Sequence, residues 1–300
     1  MQTVKNLLEK NNLRAHRYEI KGNATIIDTN NGRFVVKKKN YKDELFSYLN
    51  SRNFNYYPEV IHDDGEYTIS RYIDSVEMPS NQKYEDMIHL VALLHSKTTH
   101  FKEMNSDDYK KLYEDINNNI EYLRGYYNDI MSIIESKIFM SPSEYLLARN
   151  ISKIHQALDF CKGKTESWYE KIKDIRKGRM SVIHNNLDIR HFIRNNDPYL
   201  ISWDKSKVDM PIFDLYKLYK NHGLDINFEE LLFRYEKEYP LFEAERELLF
   251  ILMALPNKIE FGDNEYKMCQ KISKDIDFIY KTERIISPYY VVNTNQDQNN

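Results

Sequence analysis

Residues 181–204 read SVIHNNLDIRHFIRNNDPYLISWD, and their pattern differs from the sequence on both sides. Helical spacing of apolar residues dominates most of the chain after residue 80, but here the sequence predicts short extended pieces at 180–184, 191–194 and 199–204. The run Asn195-Asn196-Asp197-Pro198 predicts a turn between the last two pieces. We therefore expect a loop and a small hairpin within a helical region, where irregular backbone often positions functional side chains.

The residues before about 80 follow a different rule, because apolar and polar side chains alternate there with a period of two. Five short strands are predicted, at 16–20, 24–28, 33–38, 59–63 and 66–73. Asn30-Asn31-Gly32 predicts a tight turn between the second and third. A helix is predicted within 41–54, because Leu45, Tyr48 and Leu49 share one helical face.

The helical region and the sheet region define the predicted domains. Helices are expected at 84–99, 107–138, 143–162, 164–177, 211–222, 228–238, 242–255 and 264–286. We predict an α+β protein with a sheet lobe over 1–79 and a helical lobe over 80–286 that carries the loop at 181–204. Residues 287–300 are expected to form a flexible tail, because they end in a polar run.

Composition limits the function classes. The 300 residues are 41% hydrophobic and 13% aromatic, which is enough for a sizeable core. Forty-three Lys and Arg against 46 Asp and Glu give a net charge of -3, so no nucleic-acid partner is expected. The longest apolar run, 248–255, is too short to cross a bilayer, and the first residues lack the pattern of a signal peptide. We expect a cytoplasmic protein with no membrane partner.

The order of elements and four segments resemble the protein-kinase-like fold, in its aminoglycoside phosphotransferase and choline kinase branch, and especially the CotS-type spore coat kinase-like family. The segments are HLVALLHS at 89–96, SVIHNNLDIRHFI at 181–193, YLISWDKSKVDMPIFDLYKL at 199–218 and AERELLFILMALPNKI at 244–259. The resemblance covers nearly the whole chain. It implies two lobes: a small antiparallel sheet with one helix, followed by a mainly helical lobe.

The resemblance also implies which residues stand at the catalytic positions. Active members carry a loop H-G-D-x-x-x-x-N, followed after a strand by a second Asp that binds metal. By this comparison Asn186 stands at the catalytic Asp position, and His191 and Ser202 stand at the two metal-binding positions. An amide cannot accept a proton at neutral pH, and the replacements remove two formal negative charges from a site that would hold Mg²⁺. We expect Mg²⁺ binding and ordinary phosphoryl transfer to be disfavoured.

Four further residues of the loop region have predicted roles. Asp188 and Asp204 each lie two residues after a replaced position, so either carboxylate is a candidate substitute for the missing acid. The resemblance implies that His184 and Asp214 hold the loop in place rather than react.

Nucleotide-binding residues are predicted in the sheet region. FVVK at 34–37 resembles the strand whose lysine contacts the α/β-phosphates, so Lys37 is the candidate and Glu44 its candidate ion-pair partner. The alternatives, a solvated strand end and a surface acid, stay open. Backbone groups near Ser70 and Tyr72 are candidates to face an adenine. ATP is therefore a possible ligand, with no cofactor firmly assigned.

The sequence leaves three functions open. The first is an inactive kinase-like protein, or pseudokinase, with a scaffolding role and protein partners; by resemblance these are coat or assembly proteins, on the mother-cell side of the spore coat. The second is an active ATP-dependent small-molecule phosphotransferase with relocated carboxylates. The third is a protein that binds nucleotide without Mg²⁺.

Overall fold

The computed structural model describes residues 8–9, 12–41, 44–262 and 264–291, and the chain divides into two compact units. The first unit comprises Met1–His100, Met180–Asp214 and Arg234–Tyr239, and the second comprises Phe101–Arg179, Leu215–Phe233 and Pro240–Asn300. The loop at 181–204 thus belongs to the same unit as the N-terminal sheet. These units group the chain differently from the predicted boundary at residue 79, and 292–300 of the predicted tail lie outside the described residues.

An antiparallel sheet forms the N-terminal part of the first unit, in the strand order β1-β2-β3-β5-β4. The strands are β1 Ala15–Lys21, β2 Ala24–Thr29, β3 Gly32–Lys38, β4 Val60–Asp63 and β5 Tyr67–Arg71. All five predicted strands are confirmed within a few residues.

Local sequence explains the sheet and its helix. Thr29 pairs with Gly32 across a two-residue turn, as the Asn-Asn-Gly signal predicts. Alternate residues of β2 and β3 then face one side, where Ile27, Phe34 and Val36 form a buried cluster. Helix α1, Leu45–Ser51, follows β3 and buries Leu49 completely.

The rest of the first unit carries the loop. Helix α2, Ser80–Thr98, is followed in sequence by β6, His100–Glu103, of which only His100 belongs to the first unit. The loop region contains β7 Lys177–Ile183, which belongs to the first unit from Met180 onward, and β8 Phe192–Arg194, β9 Pro198–Leu200 and β10 Lys207–Asp209, with 3-10 helices at Ile189–His191 and Trp203–Lys205. β8 and β9 form the predicted hairpin. The predicted extended piece at 199–204 is wrong beyond Leu200, because Ser202 adopts the left-handed conformation with φ 66° and ends the extended run.

The second unit is helical. Its elements are α3 Ser106–Glu135, α4 Pro142–Ile172, most of α5 Ile212–His222 and of α6 Phe228–Glu238, α7 Glu243–Ala254, α8 Glu265–Ile286 and the short α9 Pro288–Val291. The prediction of separate helices at 143–162 and 164–177 is wrong, because α4 continues through Gly163. A helical glycine costs only about 1 kcal/mol relative to alanine. Burial of Cys161, Thr165 and Trp168 on one face of α4 stabilises the continuous helix.

No helix in the described ranges combines the length and the apolar content that a membrane span requires.

Candidate functional site

The loop that follows β7 is fixed by a buried carboxylate. Asp214, at the start of α5, is fully buried and accepts hydrogen bonds from the backbone N–H groups of His184 (2.8 Å) and Asn185 (2.6 Å). Asn185 has φ 60°, a left-handed conformation that asparagine tolerates better than most residues. Its side-chain amide donates to the Lys205 carbonyl at 2.8 Å. The backbone of the loop is therefore tied from two sides.

A second set of buried groups completes the environment of Asp214. His95 of α2 is fully buried, and its Nε2 lies 3.1 Å from Asp214 Oδ2. Its Nδ1 lies 2.7 Å from the hydroxyl of Tyr235. Since an ionised carboxylate only accepts, His95 donates to Asp214 through its Nε2–H. The chain Tyr235–His95–Asp214 thus keeps the fully buried carboxylate paired.

His184 is neutral in this environment. Complete burial lowers the pKa of the imidazole to about 4, and the nearby Asp214 carboxylate opposes that shift only in part. Nε2 lies 2.9 Å from the Ile201 carbonyl, so it carries the proton. The ring packs edge-on against Trp203 with centroids 4.8 Å apart. His184 therefore fills space and ties two segments together without carrying charge.

Hydrogen bonds link Lys37 in a chain to the three residues that the resemblance assigns to catalytic positions. Asn186 Nδ2 donates to the backbone carbonyl of Ser202 at 3.3 Å, and the backbone carbonyl of Asn186 accepts from His191 Nδ1 at 2.7 Å. Lys37 Nζ donates to Ser202 Oγ at 3.3 Å, across 165 residues of sequence. Residues that the sequence places on three separate segments therefore form one cluster, which we call the Asn186 cluster: Lys37, Asn186, His191 and Ser202.

Ser202 holds an uncommon backbone conformation within the Asn186 cluster. Its φ of 66° and ψ of 52° are left-handed, which costs a non-glycine residue on the order of 1 kcal/mol. The contacts to Asn186 and Lys37 hold it there. Trp203 follows with its side chain buried and its indole N–H donating to the Leu200 carbonyl, so it is a packing residue.

The Asn186 cluster does not fit the Mg²⁺ ion that this kind of loop would be expected to bind. Its three loop side chains offer an amide, an imidazole and a hydroxyl, whereas Mg²⁺ prefers carboxylate and phosphate oxygens. A Mg²⁺ bound to Ser202 Oγ would lie within about 5 Å of the Lys37 ammonium, given the 3.3 Å contact and an ordinary Mg–O distance. Among the described residues, no group of three or more His, Cys, Asp or Glu side chains converges on a possible metal position.

The two candidate substitute carboxylates differ in their surroundings. Asp188 accepts three hydrogen bonds from Arg190: from the backbone N–H at 2.8 Å, from Nε at 2.9 Å and from a terminal guanidinium nitrogen at 2.7 Å. This bidentate pairing stabilises the ionised carboxylate and directs it at the guanidinium. Asp204, half-buried in the 3-10 helix after Ser202, has no ion pair within the described ranges. Its charge acts on His184 and on Tyr41.

The predicted ion pair between Lys37 and Glu44 is not formed within the described part of the chain. Lys37 Nζ contacts Ser202, and Glu44 is an exposed residue at the N-terminal end of α1. The backbone turns into α1 directly after Glu44, which leaves its side chain at the helix end facing solvent.

The backbone near the predicted adenine site is largely occupied. Ser70 lies opposite Val35 and Val60 in the sheet. The N–H of Arg71 donates to the Glu59 carbonyl at 3.1 Å, and the N–H of Tyr72 donates to the Arg33 carbonyl at 3.0 Å. These two N–H groups are therefore not available to an adenine ring unless the strand ends move.

Two residues of the site were not predicted from the sequence. Arg190 and His95 both contact the loop acids, Asp188 and Asp214. The position of Arg190 two residues after Asp188 was a usable signal, because an aspartate often accepts hydrogen bonds from the residue two positions later. No local signal identified His95, because its partner is 119 residues away in sequence.

With this geometry, the architecture can be compared with solved structures. An aminoglycoside phosphotransferase from Alicyclobacillus acidocaldarius subsp. acidocaldarius superimposes with a TM-score of 0.68 at 10% identity, over 91% of each chain. The AMP-bound complex of spectinomycin phosphotransferase APH(9)-Ia gives 0.56 at 14% identity, over 94% of this chain and 97% of the other. The same enzyme with ADP and spectinomycin gives 0.54.

These similarities define the class of fold: the chain has the protein-kinase-like fold, in the form found in aminoglycoside phosphotransferases. The predicted α+β fold class is confirmed. No family model matches the sequence, and no curated protein sequence matches it.

Proposed function

We propose that this protein is a pseudokinase: a kinase-like protein that does not transfer phosphate and acts as a structural or scaffolding component. The carrying observation is the Asn186 cluster, in which the residue that the resemblance places at the catalytic-base position is a neutral amide whose side chain donates to the Ser202 carbonyl. Without a group that can accept the substrate proton, general-base assistance worth about 10²–10⁴-fold in rate is lost.

The charge of the cluster supports the same conclusion. Its ionised side chain is the Lys37 ammonium, which lies beside the serine hydroxyl at the position of a metal-binding carboxylate. A site with one fixed positive charge and no carboxylate ligand from these three loop positions repels a divalent cation. ATP bound there would have to do without the metal that ordinarily neutralises its phosphates.

The finer assignment rests on sequence resemblance. The segments at 89–96, 181–193, 199–218 and 244–259 resemble the CotS-type spore coat kinase-like family, and we propose a role in spore coat assembly with coat or assembly proteins as partners. Asp214 holds the backbone of the loop through the N–H groups of His184 and Asn185, although the residues at the reactive positions differ from those of active members. This supports selection for the shape of the loop rather than for its chemistry.

A second candidate function is an active ATP-dependent phosphotransferase that uses Asp204. The observation in its favour is that this half-buried carboxylate lies two residues after Ser202 and has no ion pair in the described ranges. Asp188 is the weaker substitute, because proton abstraction would have to compete with its bidentate pairing to Arg190.

A turnover assay and a melting curve together test both candidates. We expect no ADP release from ATP and Mg²⁺ by the natural protein or by the Asn186→Asp variant, because the metal positions stay replaced. The triple variant Asn186→Asp, His191→Asn, Ser202→Asp is the matched control, because it carries the three residues that active members have at these positions. Aspartate tolerates the left-handed backbone conformation at position 202. ADP release by the natural protein that is lost in Asp204→Asn would instead establish the second candidate.

The melting curve measures binding separately from catalysis. A ligand that binds only the folded protein at a hundred times its Kd stabilises it by about 2.7 kcal/mol. We expect no Mg²⁺-dependent shift in melting temperature. A shift with ATP and EDTA would mean metal-free nucleotide binding, whereas a shift that needs Mg²⁺ would contradict the pseudokinase proposal.

A further inference from the structure

The turn between α3 and α4 carries the most exposed large apolar side chains of the described residues. Ile138 is 90% exposed and Phe139 is 87% exposed. Both lie between Glu135, the last residue of α3, and Pro142, the first residue of α4. We call residues 136–141 the hairpin tip.

The hairpin tip is held by several hydrogen bonds rather than left loose. The Ser141 N–H donates to Glu144 at 2.9 Å, and Lys137 forms an ion pair with the same carboxylate. Ser143, one residue into the first turn of α4, donates through its N–H and its hydroxyl to Glu265 of α8, each at 3.0 Å. A rigid apolar surface loses little conformational entropy on binding, so the tip is preorganised for a partner.

Other exposed apolar side chains extend the same surface. Ile133, Met140, Tyr145 and Tyr266 are 56%, 40%, 60% and 73% exposed, and Tyr266 directly follows the Glu265 that binds Ser143. Grouped apolar exposure of this kind marks an interaction surface more often than scattered exposure does.

A complementary cavity lies on the same unit, between α4, α8 and the short α9. It has a volume of about 270 Å³ and is lined mainly by apolar side chains, among them Ala157, Phe160, Ile279, Ile286 and Tyr290. We call it the α4–α8 groove. An apolar cavity of about 150 Å³ already accommodates a benzene ring, so the groove has room for the side chain of Phe139.

The charges around the two surfaces are also complementary. The hairpin tip is bordered by Glu135, Glu144 and Glu265, against one lysine, Lys137. The groove is bordered by Lys153, which pairs with Glu283, and by Lys164, whose ammonium lies 3.8 Å from the centre of the Tyr290 ring. The tip is therefore net negative and the groove net positive.

We propose that the hairpin tip of one molecule inserts into the α4–α8 groove of a second copy of this chain. The tip cannot fill the groove of its own chain, because both lie on the continuous helix α4 and Pro142 is about 22 Å from Ala157 along its axis. Pairing two tips would bring the acidic borders together. The contact joins two different surfaces, so it repeats head to tail and produces rings or open chains of molecules.

The two surfaces lie outside the Asn186 cluster. The test therefore measures the molecular mass of the assembly and needs no nucleotide. Sedimentation equilibrium of the natural protein over rising concentration should show a rising average mass. A tip variant, Ile138→Ser with Phe139→Ser, should stay monomeric and keep its melting temperature, because both side chains are exposed. Loss of a buried aromatic anchor weakens association on the order of 30-fold.

A groove variant supplies the second half of the test. Ala157→Trp fills the groove, and Lys153→Glu, which reverses the charge at its border, serves if the first variant does not keep its fold. Each variant alone should be monomeric. An equimolar mixture of tip and groove variants should form a 1:1 heterodimer that grows no further, since one intact tip faces one intact groove. Ile20→Ser, which removes a 71% exposed apolar side chain elsewhere, should associate like the natural protein.

Three results would overturn the proposal. They are a natural protein that is monomeric at every concentration, a tip variant that associates as the natural protein does, and variants that are monomeric alone and do not pair when mixed. In the first case, association that appears only after removal of residues 292–300 would assign the groove to the end of the same chain.

Discussion

The buried histidine of the loop makes the stability of this protein depend on pH in a defined way. In the folded protein the pKa of His184 is lowered to about 4 by complete burial, whereas an unfolded histidine titrates near its ordinary value of 6.5. Between these values the unfolded chain binds a proton that the folded chain does not. The contribution of His184 to the free energy of unfolding therefore falls as the pH falls from 6.5 toward 4, and it is constant above 6.5.

The magnitude follows from the same two pKa values. Linkage gives a loss of about 2 kcal/mol in the free energy of unfolding between pH 7 and pH 5 from this one group. With a urea dependence of about 3 kcal/mol per molar, the unfolding midpoint should move down by about 0.6 M. Other titrating groups also contribute, so the measurement has to be a difference between two variants.

Urea unfolding at a series of pH values makes that comparison. His184→Gln keeps a donor for the Ile201 carbonyl and removes the titrating ring. Trp203 packs against His184, so its fluorescence in a Trp168→Phe background reports on this unit. As the pH drops from 7 to 5, the midpoint of the parent should fall by about 0.6 M more than the midpoint of His184→Gln. Two curves that run parallel over this range would refute the assignment of a buried neutral His184.

Two further predictions concern other buried groups. Asp214→Asn should lower the free energy of unfolding by about 3–5 kcal/mol, because the amide cannot accept hydrogen bonds from His184, Asn185 and His95 together. Asp197→Asn, on the exposed turn, is the control. Equal urea midpoints for the two variants would contradict the buried network. Burial raises the pKa of the Cys161 thiol to about 12, so an aromatic disulfide reagent should label Cys269 in the folded protein and Cys161 only after unfolding. Mass spectrometry of the labelled peptides distinguishes the two, and equal labelling would contradict the buried position.

Much of the fold follows from short-range patterns. The alternation through β2 and β3, the Asn-Asn-Gly turn and the helical spacing in α1 each depend on residues a few positions apart, so they predict elements correctly. The errors arose where long-range burial overrode a local signal. Gly163 suggested a break, but packing of the α4 face keeps the helix continuous.

The candidate site shows the same division. The family resemblance of the segments 181–193 and 199–218 predicted Asn186, His191 and Ser202 as a set. The contact of Ser202 with Lys37 and the pairing of Arg190 with Asp188 required coordinates, since side-chain direction depends on how the backbone turns. The ion pair expected for Lys37 with Glu44 failed for the same reason.

By itself, the sequence determined the order and type of most elements, and its resemblance to kinase-like proteins led to the expectation that three catalytic residues are replaced. Only the tertiary structure decided which titratable side chains are paired, as Asp214 is, and which are buried and neutral, as His184 is. It also decided which apolar side chains remain exposed. Periodicity and turn chemistry act over a few residues of chain, whereas charge, pKa and exposure depend on atoms that packing brings together from distant positions.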